Sequence, residues 1–284
     1  MPPSGGFDVS DLRRPNKVRR FIEAGGDVES PVEGGNGSTM LAEAVRLGYR
    51  ESSQVLLEAN ANVNAVGRLG DSVLSARCSI TDTAHGDLAS MCSLLLEHAA
   101  RVNFSDATNG FTPLTNVLLG SGNQEAVALL IAHQANVSHV ISQSTLETLS
   151  TKTEGMSPLT IAARAGRADL IKLLLEAGAE EWAGGRSALH LACEMGCAVS
   201  VEVLLSRPSS SIEKIDNAGF TPLIVACRNA NHSAAEMLLT HGADVNALDT
   251  QGRSALLCIG SDAPKGASLV PVAELLLARK ADTT

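Results

Sequence analysis

Apolar and polar residues along this chain follow the 3.6-residue period of amphipathic helices, in short blocks separated by glycine-rich breaks. Residues 219–246 show the pattern most completely. Thr221-Pro222-Leu223 predicts a helix start. Threonine caps the first turn with its hydroxyl, and proline fits the first helical position, where its missing N–H costs nothing. Ala226 and Cys227 are small, so a second helix can lie close. Ala235, Met237, Leu238 and Leu239 give that second helix an apolar stripe. Gly242 ends it, because glycine enters the left-handed C-cap cheaply. Asp244-Val245-Asn246 then leads into a turn that reaches Gly252.

The block recurs. Equivalent openings stand at Thr39, Ser72, Thr112, Ser157, Ser187, Thr221 and Ser254. Leucine-rich second helices are predicted to close at Asn60, Gly178 and Gly242, with Asn60 as the next-best left-handed residue after glycine. Val18, Phe21 and Ile22 mark a degenerate first repeat, and residues 254–282 a degenerate last one. This pattern resembles the ankyrin repeat, whose T-P-L-H-x-A opening and period of about 33 residues are specific. Ser187-Ala188-Leu189-His190-Leu191-Ala192 is the nearest match. The resemblance implies an all-α fold: a solenoid of stacked antiparallel helix pairs with projecting β-turn or hairpin loops. About eight repeats would fill residues 12–284, after a flexible Pro/Gly-rich stretch at 1–11. Insertions fall near 79–87, 138–154 and 260–268, while the turn holding Trp182 is short. In the family the motif histidine ties neighbouring turns. Here it survives only at His190, with Ala42, Ser75, Thr115, Thr160, Ile224 and Leu257 in its place.

Composition agrees with thin helix layers: 44% of residues are hydrophobic but only 2% aromatic. A net charge of −9 argues against non-specific binding to nucleic acid or anionic membrane. No apolar run approaches a membrane span, and residues 1–6 lack the regions of a secretory signal, so a cytoplasmic protein, or a nuclear one, is expected. Cys78, Cys193 and Cys227 occupy the small position of first helices, Cys92 lies in a second helix and Cys258 in the last first helix. They read as buried hydrophobes rather than metal ligands. His98, His133 and His241 recur near second-helix C-termini, where a cation suits the dipole. His85, His139 and His232 lie near loops and do not fall into a catalytic motif of the sequence. No nucleophile-elbow, zinc-protease, phosphate-loop or kinase signature is present. The expected protein is not an enzyme, needs no cofactor and takes no small-molecule substrate.

Function would be written on positions that the shared core does not require. The residue before each opening Thr or Ser is one such row, including Phe111, Met156, Arg186, Phe220 and Arg253. The end of each first helix is another, including Arg164, Glu194, Arg228 and Asn229. Two readings of Arg164, Arg186, Arg228 and Arg253 stand side by side. They form a basic, aromatic-edged strip for an acidic or extended segment of another protein, or they are solvated or pair with neighbouring carboxylates. The expected role is a protein-binding scaffold or adaptor. The alternative is the recognition module of a larger assembly, such as a ubiquitin-ligase substrate adaptor or an enzyme or channel fusion.

Overall fold

The computed structural model describes residues 7–35, 37–67, 70–80, 87–106, 110–141, 155–207 and 212–282. Two compact units are present, residues 1–136 with 141–152, and residues 137–140 with 153–284. Most of the inserted stretches expected at 79–87 and 138–154, and His85, lie outside the described residues.

The first unit begins earlier than the composition of residues 1–11 suggests. Phe7 is buried against Phe21, with ring centroids 4.8 Å apart. Asp8 caps a 3-10 helix, Val9–Arg13, through a reciprocal capping box with Asp11. Three helix pairs follow α1 (Pro15–Glu23): α2 (Met40–Arg46) with α3 (Arg50–Glu58), α4 (Val73–Cys78) with α5 (Leu88–Glu97), and α6 (Pro113–Leu119) with α7 (Gln124–Ala132). First helices pack on first helices and second on second. The second unit repeats this with α8 (Pro158–Arg164) and α9 (Ala168–Glu176), α10 (Ala188–Met195) and α11 (Ala198–Leu205), and α12 (Pro222–Arg228) and α13 (His232–Thr240), then α14 (Val270–Ala278). None of these helices is long enough to hold itself in water, so each depends on its neighbours' apolar faces. The core is Leu, Ile, Val, Ala, Met and Cys, with Leu41, Leu95, Leu159, Ala192 and Ile224 essentially inaccessible.

The caps follow the predicted openings. The hydroxyls of Thr39, Ser72, Thr112, Ser157, Ser187 and Thr221 each accept the backbone N–H three residues on. Thr115 and Thr160 return the bond, accepting the N–H of Thr112 and Ser157. Asn60 is left-handed at φ 64°, and so, against its side-chain preference, is Ala99 at φ 61°. Ala99 is exposed, so Ala99→Gly relieves strain without opening a cavity. It should raise stability by about 1 kcal/mol, read as a higher urea midpoint; no change would show that the strain is absorbed elsewhere.

A second set of ties joins consecutive repeats. The Asn64 amide donates to the Ala99 carbonyl and accepts the Arg101 N–H, while Asn103 does the same with Gln134 and Asn136. Asn246 accepts the Asp282 N–H in the second unit. Each Asn satisfies backbone groups that the exit turn leaves open.

The last repeat departs from expectation. Residues 255–262 form successive turns, not a first helix, so Cys258 lies in a turn. The reason is local. The N–H groups of Gly260 and Asp262 donate to the Cys227 and Arg228 carbonyls at the end of α12; the Cys227 carbonyl also accepts the Ala230 N–H, so the segment adds a second bond there and supplies one to Arg228. The segment is drawn across that helix end rather than wound into a helix of its own.

Candidate functional site

Three aspartates shape the turns that precede the helix openings. Asp106, Asp216 and Asp249 are buried although their neighbours are largely exposed. Asp216 accepts the N–H groups of Ala218 and Phe220 on one oxygen, and Asp249 those of Gln251 and Arg253. Burial works against the Asp249 charge, but those N–H groups and the Arg253 guanidinium outweigh it and hold the carboxyl below its usual range. In the shortened turn a two-residue hairpin replaces this device. Trp182–Ala183 (β1) pairs antiparallel with Arg186–Ser187 (β2) across Gly184 and Gly185, both at positive φ.

His190 links two repeats. Both the backbone N–H and the hydroxyl of Ser187 face its Nδ1, at 3.4 and 2.7 Å. Nδ1 therefore accepts, and Nε2 carries the proton and donates to the Phe220 carbonyl at 3.0 Å. Burial lowers its pKa, with the nearby Arg186 charge acting the same way and Asp216 and the Phe220 carbonyl opposing. The ring is thus held neutral where it fastens the Phe220 turn. Trp182 meets it edge-on at 5.9 Å, and the Lys214 ammonium lies 4.0 Å above the Trp182 ring.

These turns border an open groove of about 520 Å³ in the second unit. Arg186, Glu194, Asp216, Phe220, Arg228, Asn229 and Asp262 line it. The Arg228 guanidinium stacks 4.2 Å from the Phe220 ring centroid. Arg186 pairs with Glu194 at 2.6 Å and with Asp216 at 3.3 Å. Arg228 pairs with Asp262 at 2.6 Å. The wall is therefore mixed in charge, three carboxylates against two guanidinium groups, and not the basic strip that the arginines alone suggest.

The structure gathers Arg186, Glu194, Phe220, Arg228 and Asn229 at this groove and places the other expected contact residues elsewhere. Phe111 is half-buried in the first unit. Arg253 bonds within its own turn to Asp249 at 2.8 Å. Met156 is 7% exposed, so its side chain belongs to the interior; its sulfur lies 3.7 Å from an Arg164 nitrogen. The Asn229 amide donates to the Val225 carbonyl of its own helix. Asp216 and Asp262 were absent from the sequence-derived set. Asp216 was discoverable from the recurring Asp ahead of a Gly before the opening Thr or Ser, as at Asp249 and Gly252.

The thiols of Cys78, Cys92, Cys193, Cys227 and Cys258 are buried and all six cysteines are free. Burial pushes Cys227 up to about 12, so it stays protonated. Among the described residues no cluster of His, Cys, Asp and Glu is arranged to hold a metal ion, and no helix is long and apolar enough to cross a membrane.

Comparison with known proteins places this geometry. A family model described as "Ankyrin repeats (3 copies)" matches residues 80–183, 137–216, 179–249 and 201–284. The neurogenic locus notch homolog protein 1 of Mus musculus is 34% identical over 153 residues, 52% of this chain. The notch homolog protein 2 of Homo sapiens is 39% identical over 105 residues, 36% of this chain. The matched parts are 6% and 4% of those much longer proteins. The human ASB11 ankyrin repeat domain superposes with a TM-score of 0.65 at 25% identity, covering 86% of this chain and 99% of that one. Matches across repeats on both sides of the chain's midpoint, together with the capped helix pairs and the His190 tie, lead to one conclusion: this chain belongs to the ankyrin-repeat family.

Proposed function

We propose that the chain is a non-enzymatic scaffold or adaptor that holds a partner protein against the groove of its second unit. Ankyrin repeats generally mediate protein–protein interaction, and the groove supplies a place for it. One observation carries the reading: Phe220, half-buried and stacked under Arg228, stands in an open groove on residues that the helix packing does not require. Aromatic and arginine side chains of this kind dominate interface energies. The free cysteines suit a reducing compartment, the cytoplasm or the nucleus.

A second reading, the recognition module of a larger assembly such as a ubiquitin-ligase substrate adaptor, draws support from the notch homologues, in which the similar segment is a small part of the whole. The two readings share the groove and differ in what is attached to it.

The test is affinity capture from cell extract with the unaltered chain, Phe220→Ser, and Leu248→Ser as a control. Leu248 is 57% exposed and does not line the groove. Phe220→Ser should lower recovery of the captured proteins about ten-fold, the scale of one interface anchor, while Leu248→Ser leaves it unchanged. Equal recovery from all three would reject the groove as the binding face.

A further inference from the structure

The irregular segment of the last repeat does more than fill the place of a missing helix. It carries Asp262 onto Arg228, the arginine that stacks on Phe220. We infer that Arg228 is a carboxylate-binding point of the groove, held by Asp262 as an internal stand-in, and that the partner is an extended segment whose Asp or Glu side chain displaces it. The inference rests on the groove being the binding face.

Four observations support it. First, both Arg228 contacts fall on one oxygen of Asp262: Nε at 2.8 Å and Nη2 at 2.6 Å from Oδ2. A guanidinium edge is built to grip the two oxygens of a carboxylate in parallel, so this pairing uses half of the fork. An incoming carboxylate free to align can use both oxygens. Second, the pair is displaceable. The Asp262 side chain is 49% exposed and that of Arg228 only 16%. The arginine is fixed by its aromatic support, and the carboxylate is the loose member. Third, residues 261–270 are exposed at nearly every position, and the N–H bonds of Gly260 and Asp262 to the end of α12 tether the segment. Fourth, the other arginine of the groove is already committed, Arg186 lying between Glu194 and the buried Asp216. Arg228 is the cation that an acidic side chain can win.

This restores an acidic partner to a groove whose wall is neutral to slightly acidic. Selectivity then comes from exchange, one carboxylate for another on the same guanidinium, and only a carboxylate that makes the better fork succeeds. Asp262→Asn removes the competitor while keeping size and the backbone tether.

The test uses the full chain labelled with nitrogen-15, following the Arg228 Nε–H resonance. The probes are the capped tripeptide acetyl-Ala-Glu-Ala-amide and its Gln counterpart. In Asp262→Asn the Glu peptide should bind at least ten-fold more tightly than in the unaltered chain and shift the Arg228 resonance. The Gln peptide should shift it in neither, and Arg228→Gln should abolish the gain. Equal affinity in the unaltered chain and Asp262→Asn, or shifts that leave Arg228 untouched, would overturn the inference. If that happens while Phe220→Ser still loses its captured proteins, the groove reading survives and only the exchange fails. If both fail, the groove itself is wrong.

Discussion

Gly184→Ala is expected to destabilise the second unit by about 3 kcal/mol. Two causes add. Gly184 has φ +58°, a left-handed conformation that a Cβ makes costly by about 1–2 kcal/mol. The new Cβ would also be driven into the backbone carbonyl and Cα of Gly155, the residue just ahead of Met156 and the Ser157 cap. Backbone cannot rotate aside as a side chain can, so the hairpin tip must lift from the turn it touches. Gly178→Ala separates the two causes. Gly178 has φ +85° with nothing within 4 Å of its missing Cβ, so it carries the conformational cost alone, about 1 kcal/mol. Trp182 is the sole tryptophan and sits in the hairpin, so its fluorescence reads the local event while circular dichroism reads the helices. In Gly184→Ala the fluorescence midpoint in urea should fall ahead of the helical one. If both variants lose the same stability, the contact with Gly155 contributes nothing.

His190→Ala should cost about 3 kcal/mol. It leaves the buried Ser187 N–H without its ring partner, at about 1–3 kcal/mol, takes one of two donors from the Phe220 carbonyl, which keeps the Asp216 N–H, and empties the space of a fully buried ring. His190→Thr should cost less, because Thr115 and Thr160 close the same capping box in sister repeats. It still loses the reach to Phe220. The histidine also gives stability a pH dependence with a definite sign. Its folded-state pKa lies below the ordinary 6.5, so as pH falls the unfolded chain takes up the proton first. The contribution is complete above about pH 6.5 and is lost as pH falls from there through the lowered folded value, at about 1.4 kcal/mol per pH unit. Urea midpoints at pH 7.5 and 5.5 should therefore differ more in the unaltered chain than in His190→Thr. Parallel behaviour of the two proteins would mean that His190 is protonated as readily folded as unfolded.

Much of the fold was legible because its causes are local. A hydroxyl immediately before a short, apolar helix specifies its own cap by accepting the N–H three residues on, as at Thr112 and Ser157, whatever the partner repeat. Asn60 in place of glycine was readable for the same reason. What escaped was set by groups far apart in sequence. Asn64 is only a turn residue until the carbonyl of Ala99 is placed beside it. The charge of the groove could not be read from arginines alone, since Arg228 meets a carboxylate 34 positions later, in a segment expected to be an insertion. The opening of that segment, Ser254-Ala255-Leu256, matches the others and so predicts a helix with extra residues. Leu257 sits where the inner repeats bury His190 or Ile224, yet it is 70% exposed. Only Ala255 and Cys258 of that stretch are buried, too narrow an apolar face for a packed helix, and its N–H groups bond instead to the carbonyls of Cys227 and Arg228 at the end of α12. Met156 was misplaced because a row of equivalent positions was assumed to share one exposure. A long, flexible thioether turns inward where Arg186 and Arg253 cannot.

We propose that another protein is held in the groove lined by Phe220, Arg228 and Asn229. Site-specific photo-crosslinking tests it most directly, with a benzophenone side chain placed in turn at Asn229 and at Glu236, an exposed position of α13 away from the groove. The prediction is a discrete crosslinked partner from position 229, lost when Phe220→Ser is added, and none from 236. The same crosslinks from 236 as from 229, or a partner at 229 that is indifferent to Phe220, would contradict it.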